Sequence, residues 1–483
     1  MMTKTKIMLP VPQGWSRGLT LLALASSFVA GPAPAAVWTY TNRTSTVWTN
    51  ANSWQTNGAY GAPPIGVTNF PGRININAAV VYDYATNTGF GTVVNAAPEY
   101  GRGMLVASGS SVTGQVDVVK GTLVFFQAAL QDAVVVCAPA NASGTSKGYL
   151  NMNGGNLLVI ATNYGVLSCP FRGSGSTLGV VTINSGSTVT VDRFRFGGQG
   201  GASATDVAAG CSGNLFLNAG GTLAVRNMAN ILNPTNLRAT NFFNGGTLRV
   251  KGAEEGGFPL LGSNIVNNVM AGGLVVDTAG FNARMVSPLL NGTGGSDGGL
   301  TKVGSGTLNL RALESSYTGP TVVSAGTLGV QVPMASTDLR VQSGATLNFI
   351  TDNLAPWALP FLGLTNVSIG FDYRAFSGYV DPVIAVNNLH LQGTVAINLL
   401  GTSLPITNLT LLTYTTKTGS GSFTLGTLPV GATATLEDTG SSLILHITSA
   451  SLQSLVWSGG DGIWRVNGGL NWNNGTAVYL EYP

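Results

Sequence analysis

One short phrase recurs along this chain and limits the folds that the chain can adopt. It joins an Asn-x-Gly corner to an alternating run such as Thr-Leu-x-Val, and its clear copies begin 31, 34 and 26 residues apart at Asn153 (NGGNLLV), Asn184 (NSGSTVTV), Asn218 (NAGGTLAV) and Asn244 (NGGTLRV). Weaker copies begin at Lys120, Ser305, Ala325 and Ser343. Repetition of one phrase along a chain is typical of folds that are built by stacking a single structural unit.

The chemistry of the phrase predicts what that unit is. Asn and Gly tolerate a positive φ and therefore favour a tight turn, and the run that follows alternates apolar and polar residues with the period of a β-strand. Such a unit cannot bury its apolar face alone, but copies stacked about 4.8 Å apart can. Asparagines at equivalent corners would then stack as an amide ladder. We therefore predict a β-solenoid, specifically a right-handed parallel β-helix, over a Greek-key sandwich.

The composition agrees with a folded chain whose surface is polar and nearly uncharged. Of the 483 residues, 67 are Gly, 44% are hydrophobic and only 8% are charged, against about 25% charged in an average globular protein. The apolar content excludes disorder, and the lack of a strict three-residue Gly period excludes collagen. Since acidic residues are scarce, a cluster of several carboxylates is difficult to assemble.

The first 35 residues predict a Sec-type signal peptide. An apolar run (LTLLALASSFVA) at 19–30 is followed by Ala-Pro-Ala at 33–35, a small-x-small cleavage pattern, so the mature chain is predicted to start near Ala36. The basic residues before the run are Lys4, Lys6 and Arg17. A buried N-terminal helix is the alternative interpretation of this segment.

Cleavage would remove the chain's excess positive charge. The 22 basic residues become 19 when the leader's three are subtracted, and these balance 19 acidic residues. A neutral chain without a Lys/Arg cluster argues against nucleic acid and against an anionic membrane surface as partners.

The three cysteines lie among small or apolar residues, which favours buried free thiols. They are Cys137, Cys169 and Cys211. One disulfide between neighbouring coils is the alternative interpretation.

One segment resembles a known family. Residues 298–330 (GGLTKVGSGTLNLRALESSYTGPTVVSAGTLGV) are similar to the autotransporter-associated β-strand repeat. The positions that follow its pattern are Gly299, Leu300, Thr301, Lys302, Gly304, Gly306, Thr307, Leu308, Leu310, Tyr317, Thr318, Gly319, Thr321, Val323, Ala325, Gly326, Thr327 and Leu328. The resemblance implies a surface-exposed or secreted bacterial β-helix of passenger type, without catalytic residues in the repeat. We expect Lys302 to lie in solvent at a coil edge.

The predicted organisation has five parts. The signal peptide (1–35) precedes a Trp-containing, β-rich N-terminal cap (36–104) and the solenoid repeats (105–350). Residues 351–452 alternate well but lack Asn-Gly corners, so they are predicted to form closing coils or a small β-domain. Residues 453–483 leave no room for the membrane barrel of a classical autotransporter, and they resemble the start of a second, truncated Trp-containing module.

Few residues suggest chemistry. The sequence GTSKG at 144–148 matches G-x-S-x-G but has no strand-to-helix context, so we interpret it as a turn. His390 and His446 alternate with Leu or Ile and are expected on the outer strand face. No catalytic, cofactor-binding or metal-binding residue is assigned, and no cofactor is expected.

The best catalytic candidate is the run Asp192-Arg193-Phe194-Arg195, with Asp206 the nearest acidic neighbour in sequence. Polysaccharide-degrading β-helix enzymes use exposed carboxylates and basic residues, but a solvated charge pair is the simpler interpretation here. Tryptophans near the two ends offer rings that stack on sugars or that pack within a cap. These are Trp38, Trp48, Trp54, Trp457, Trp464 and Trp472.

The sequence thus predicts a secreted or cell-surface β-solenoid that acts as a structural or adhesive scaffold without catalysis. The predicted partners are an extracellular polysaccharide or a host or neighbouring cell surface, and the mature chain is expected to have no membrane span. The alternatives are a polysaccharide lyase or glycosidase on a β-helix and a non-catalytic glycan-binding module, which would place exposed Trp or Tyr in a row.

Overall fold

A computed structural model describes much of the chain from Trp38 onward. The described residues are 38–42, 46–48, 54–56, 59–60, 70–83, 92–96, 103–108, 111–127, 132–137, 145–161, 164–170, 176–197, 210–230, 237–254, 257–312, 315–331, 333–350, 356–373, 381–401, 406–449, 456–457, 472–473 and 478–479. They belong to one compact unit, Trp38–Pro483. The predicted signal peptide lies outside the described residues.

Every regular element in these ranges is a β-strand. The N-terminal strands are β1 (Trp38–Asn42), β2 (Thr46–Val47), β3 (Trp54–Thr56), β4 (Ala59–Tyr60), β5 (Phe70–Ile76), β6 (Ala79–Asp83), β7 (Thr92–Ala96) and β8 (Met104–Val106). The next strands are β9 (Thr113–Lys120), β10 (Thr122–Gln127), β11 (Asp132–Val136), β12 (Lys147–Met152), β13 (Asn156–Ala161), β14 (Val166–Ser168), β15 (Leu178–Ile183), β16 (Thr188–Thr190), β17 (Arg193–Phe196), β18 (Cys211–Asn218), β19 (Thr222–Val225), β20 (Asn227–Asn230), β21 (Leu237–Asn244) and β22 (Thr247–Val250).

The remaining strands continue the same pattern and then lengthen. The shorter ones are β23 (Val266–Val269), β24 (Leu274–Asp277), β25 (Ala283–Met285), β26 (Leu289–Asn291), β27 (Leu300–Val303), β28 (Thr307–Leu310), β29 (Thr321–Val323), β30 (Thr327–Val330), β31 (Asp338–Val341) and β32 (Thr346–Ile350). The last ones are β33 (Trp357–Asp372), β34 (Ile384–Leu400), β35 (Asn408–Thr418), β36 (Ser422–Leu425), β37 (Thr433–Asp438), β38 (Ser442–Ser449), β39 (Val456–Trp457), β40 (Trp472–Asn473) and β41 (Val478–Tyr479).

Three parallel ladders organise these strands into a parallel β-helix, as predicted. The first ladder runs β2-β6-β9-β12-β15-β18-β21-β23-β26. The second runs β7-β10-β13-β16-β19-β22-β24-β27-β29-β31-β33. The third begins β5-β8-β11-β14-β17-β20, crosses Leu261 by two isolated bridges, and resumes as β25-β28-β30-β32-β33.

Each coil from β9 to β28 contributes strands to these ladders around one apolar core. Alternate residues point inward, as the burial of every second residue along β18 shows. Since parallel strands pair in register, an inward residue lies beside inward residues of the coils before and after it. Met152, Ile183, Leu217 and Phe243 form one such buried row across β12, β15, β18 and β21.

The asparagines that open the repeated phrase form the predicted amide ladder. The amide nitrogen of Asn184 donates to Oδ1 of Asn153 at 2.6 Å, and that of Asn218 donates to Oδ1 of Asn184 at 2.7 Å. At the next corner Oδ1 of Asn244 instead accepts a backbone N–H from Gly272, at 2.9 Å. At each of these corners a hydrogen bond of an asparagine side chain therefore links one coil to the next.

The coils change after β26, where the first ladder ends. Successive coils there contribute two short strands, β29 with β30 and β31 with β32, and the single long strand β33 then pairs with both members of the second pair. The strands β34 and β35 extend this parallel arrangement. At the end, β38 pairs antiparallel with both β35 and β37.

The corner glycines predict a first test. Gly220 and Gly245 have φ of 74° and 87°, and a Cβ on Gly220 would lie 2.7 Å from Oγ of Ser185 in the preceding coil. We expect Gly220→Val to lower the unfolding free energy by about 2–3 kcal/mol, since a β-branched residue resists this conformation. Gly295→Ala is the matched control because no atom lies within 4 Å of its Cβ position. Equal thermal unfolding curves for the two variants would contradict the turn assignment.

Candidate functional site

The predicted catalytic run forms most of strand β17 in the third ladder. Alternation places Phe194 and Phe196 in the core, fully buried, and leaves Arg193 and Arg195 on the outer face. These arginines are nevertheless only 8% and 5% exposed. The prediction of a solvated charge pair is therefore wrong, because the outer face of this strand is covered.

Aromatic rings form part of that cover. The guanidinium carbon of Arg193 lies 3.6 Å from the ring centre of Tyr164 and 5.8 Å from that of Phe258, and the guanidinium carbon of Arg195 lies 5.5 Å from Phe258. The ring faces are negative and attract both cations. Burial, followed by the neighbouring charge of Arg193, lowers the pKa of Arg195 to about 10, so the side chain stays charged at neutral pH.

Asp192 does not pair with these arginines but with two cations of later coils. Its Oδ1 accepts from Nζ of Lys251 at 2.8 Å and from Nε of Arg226 at 3.2 Å, and its Oδ2 accepts from the backbone N–H of Gly165 at 2.8 Å. Burial opposes ionisation, but Lys251, Gly165 and Arg226 outweigh it and lower the pKa of Asp192 below 3.8. A carboxylate held ionised in this way is unsuited to serve as a general acid.

The structure does not define the position of the second residue of the proposed pair. Asp206 lies outside the described residues, so the carboxylate separation that glycoside hydrolysis requires is not defined. Among the residues that the structure describes, no group of three or more His, Cys, Asp or Glu side chains is arranged to hold a metal ion.

Lys302, in the repeat at 298–330, occupies an unexpected position. It is 0% exposed, and its Nζ donates to Gly304 O at 2.7 Å, Ala325 O at 2.9 Å and Val303 O at 3.0 Å. Oγ1 of Thr278 lies 3.1 Å from the same nitrogen, so the ammonium is bound to three consecutive coils. The expectation that Lys302 lies in solvent is therefore wrong.

The cause of this burial is strand alternation. Leu300 and Lys302 share the inward parity of β27, whose burial alternates from Leu300 onward. Burial lowers the pKa of Lys302 to about 8, while the charge of Asp277 acts in the opposite direction. At neutral pH the group remains an ammonium, which the surrounding oxygens can satisfy.

Other residues of the repeat also make internal bonds. Oδ1 of Asp297 accepts the backbone N–H groups of Gly299 and Gly319, each at 2.9 Å, and Oδ2 accepts that of Thr318 at 2.7 Å. The buried hydroxyl of Tyr317 lies 2.8 Å from Oγ1 of Thr321. The polar residues of this motif are therefore engaged in holding neighbouring coils together.

The structure also shows where several of the tryptophans, cysteines and histidines lie. Trp48 and Trp54 are buried and pack edge to face with ring centres 5.4 Å apart, which favours packing over sugar stacking at these two rings. The side chains of Trp38, Trp457 and Trp472 and the whole of Trp464 lie outside the described residues. The cysteines are buried and free, as favoured. His390 and His446 lie on the outer strand face between buried neighbours, as predicted.

Sequence reasoning missed the partners of the arginines. Tyr164 and Phe258 come from two different coils, and their approach to the arginines depends on corner and loop lengths. One feature of the sequence did point to the ion pairs of Asp192. Asp192 directly follows the repeated phrase of one coil, and Arg226 and Lys251 occupy the same position in the next two coils. That equivalence of position would have predicted the ion pairs.

Comparison with known proteins agrees with the fold. Residues 300–330 match the family model described as the passenger-associated-transport repeat. This match to a passenger-type repeat confirms the resemblance found in the sequence, and the matched segment lies within the parallel β-helix. No curated protein matches the chain. Across the described ranges, no helix has the length and apolar character needed to cross a membrane.

The contacts of Asp192 predict a pH-dependent contribution to stability. Because its pKa is lowered in the fold, the stabilisation exists above the unfolded value and is lost as pH falls through the folded value. We expect Asp192→Asn to cost about 1–3 kcal/mol of unfolding free energy at pH 7, and the deficit to shrink below pH 4. Denaturant unfolding at several pH values measures it.

Asp338→Asn is the control for this prediction. Asp338 pairs with Arg340 at 2.7 Å, but the arginine side chain is 58% exposed, so the loss should stay below about 1 kcal/mol. A deficit for Asp192→Asn that is equal at pH 3 and pH 7 would contradict the ion-pair account.

The oxygen atoms that surround the Lys302 ammonium predict a larger effect on stability; we call the four of them, from Thr278, Val303, Gly304 and Ala325, the cage. We expect Lys302→Met to cost about 2–4 kcal/mol, because the carbonyls of Val303, Gly304 and Ala325 lose their donor. The exposed Lys147 provides the matched substitution, Lys147→Met, which should change stability by less than about 0.5 kcal/mol. Thermal unfolding of the two variants measures the difference in stability. Similar midpoints would show that the cage contributes little to the stability of the fold.

Proposed function

We propose that this chain is an exported, passenger-type β-helix that acts at the cell surface as a non-catalytic structural or adhesive scaffold. The observation that carries the proposal is the repeat at 300–330, which matches a passenger family and whose polar residues are used internally. Lys302 bonds oxygens of three coils. Asp297, just before the repeat, binds its Thr318-Gly319 corner. Side chains used in this way support rigidity and are not available for chemistry.

The state of Asp192 also favours a scaffold over a hydrolase. A glycosidase needs one carboxyl group that stays protonated near neutral pH. Asp192 instead accepts from two cations and one backbone N–H, which lower its pKa. This supports a structural role for the run that the sequence made the best catalytic candidate.

The leader supports export. The basic residues, the apolar run and the Ala-Pro-Ala cleavage pattern suit secretion, and a surface with few charges suits a protein that works outside the cell. In this proposal the stacked coils keep a fixed spacing and present their outer faces and connecting loops to a polysaccharide or to another cell.

The export part of the proposal is tested with the full chain expressed from its own start codon in a bacterium. We expect N-terminal sequencing of the exported protein to begin at Ala36, and protease added to intact cells, or analysis of the medium, to find it outside the cytoplasm. Changing residues 33 and 35 to Leu is the control that should block cleavage. Cytoplasmic protein that retains residue 1 would overturn the export proposal.

The non-catalytic part is tested with the purified protein and a panel of acidic and neutral polysaccharides. Bound protein and released oligosaccharide are measured in the same samples. We expect no released product above that of a heat-denatured control. Product release that is lost in Asp192→Asn would overturn the scaffold proposal in favour of a polysaccharide-degrading enzyme.

A further inference from the structure

Beside Arg195 the third ladder carries a row of short side chains. Arg195 pairs in register with Ser168 on one side and with Ala229 on the other. Gly262 continues the row, because a Cβ built on it would lie 3.7 Å from the Cβ of Ala229. We call Ser168, Arg195, Ala229 and Gly262 the arginine slot. The long side chain of Arg195 therefore lies in register with short side chains on both sides.

Polar groups at this slot have hydrogen-bonding capacity that the fold does not use. Within the described part of the chain, Nε of Arg195 and Oγ of Ser168 are buried without a hydrogen-bond partner. The same holds for both Nδ2 and Oδ1 of Asn227, a side chain only 1% exposed that stands beside Arg193 in the adjacent rung. Buried polar atoms of this kind usually have partners, since leaving one unpaired costs about 1–3 kcal/mol.

The charge at the slot selects an anion. Arg193 and Arg195 are two residues apart on one face, and Asp192 is engaged by Lys251 and Arg226. Asp132 partly offsets the positive charge at Arg195. A guanidinium offers N–H donors in a fork that matches a carboxylate. A bound carboxylate would also compensate the burial of the Arg195 cation.

A ligand would reach the slot from the side of Ala229 and Phe258, the more exposed residues around it. Ala229 is half-buried, and Phe258, whose ring lies 5.5 Å from the guanidinium of Arg195, is 43% exposed. A partly exposed ring beside hydrogen-bonding groups suits contact with the apolar face of a sugar ring, while the Ser168 hydroxyl and the Asn227 amide each offer a donor and an acceptor for sugar hydroxyls.

We propose that the arginine slot, with Asn227 and Phe258, binds a uronic acid residue of an acidic polysaccharide. Arg195 donates to the sugar carboxylate, Ser168 and Asn227 bind ring hydroxyls, and Phe258 stacks on the ring. This site goes beyond the scaffold function, and no step of catalysis is involved. Its test uses purified protein, so its outcome is independent of whether the chain is exported.

The experiment is calorimetric titration of the full chain with trigalacturonate. We expect binding that weakens about tenfold or more when the carboxyl groups are methyl-esterified. Arg195→Gln should weaken trigalacturonate binding by about tenfold or more, and Phe258→Ala, at an exposed ring, by about fivefold. The control is Arg238→Gln, an equal change of charge at an exposed position of β21, which should leave the affinity within about twofold.

The variants are checked for folding by thermal unfolding without ligand. Arg195→Gln removes the repulsion between two buried cations but also the contact of Arg195 with the Phe258 ring, and because these effects oppose each other we expect little change in its melting temperature. If it does unfold, Phe258→Ala still decides, because Phe258 is 43% exposed and the loss of its ring is expected to leave the chain folded. Absence of binding by the unchanged chain, equal binding of the methyl ester, or equal loss in Arg238→Gln would overturn the proposal. Equal competition by inorganic sulfate would overturn the assignment of a sugar.

Discussion

Register pairing between successive coils is the constraint on which the rest of this structure depends. Once parallel strands align residue by residue, each side chain takes its neighbours from the equivalent positions one coil away. Inward rows must then be apolar or internally bonded, as Met152, Ile183, Leu217 and Phe243 are apolar. The corner residues of successive coils must also fit against each other, as the hydrogen-bonded amides of Asn153, Asn184 and Asn218 do.

The same constraint explains why polar groups can be buried here. A coil presents its backbone carbonyls at fixed places to the coil above, so an inward Lys302 meets oxygens of Thr278, Gly304 and Ala325 without disturbing either ladder. On the outer face the register has the opposite effect. It sets Arg193 beside Asn227 and Arg195 beside Ser168, and the buried polar atoms of Asn227, Arg195 and Ser168 are left with capacity for a ligand.

The sequence predicted what depends on local pattern. The Asn-Gly corners, the period-two strands and the outward histidines follow from propensity and alternation, and all of these were found. The burial of Lys302 could also have been predicted, since Lys302 lies two positions after the inward Leu300, but its charge was given more weight than its place in the strand alternation. The contacts of Arg193 with Tyr164 and Phe258 could not have been predicted from the sequence, because these residues lie in different coils whose spacing is irregular.

The antiparallel strands at the end of the ladders have a consequence for self-association. A parallel stack ends in a row of unpaired backbone groups, which can template the addition of another chain. Here β38 reverses direction against β35 and is itself covered by β37. Charged side chains of Lys417, Glu437 and Asp438 lie along this region. The reversal offers an incoming strand neither the direction nor the apolar register of the coils, so it protects this edge from amyloid-like growth.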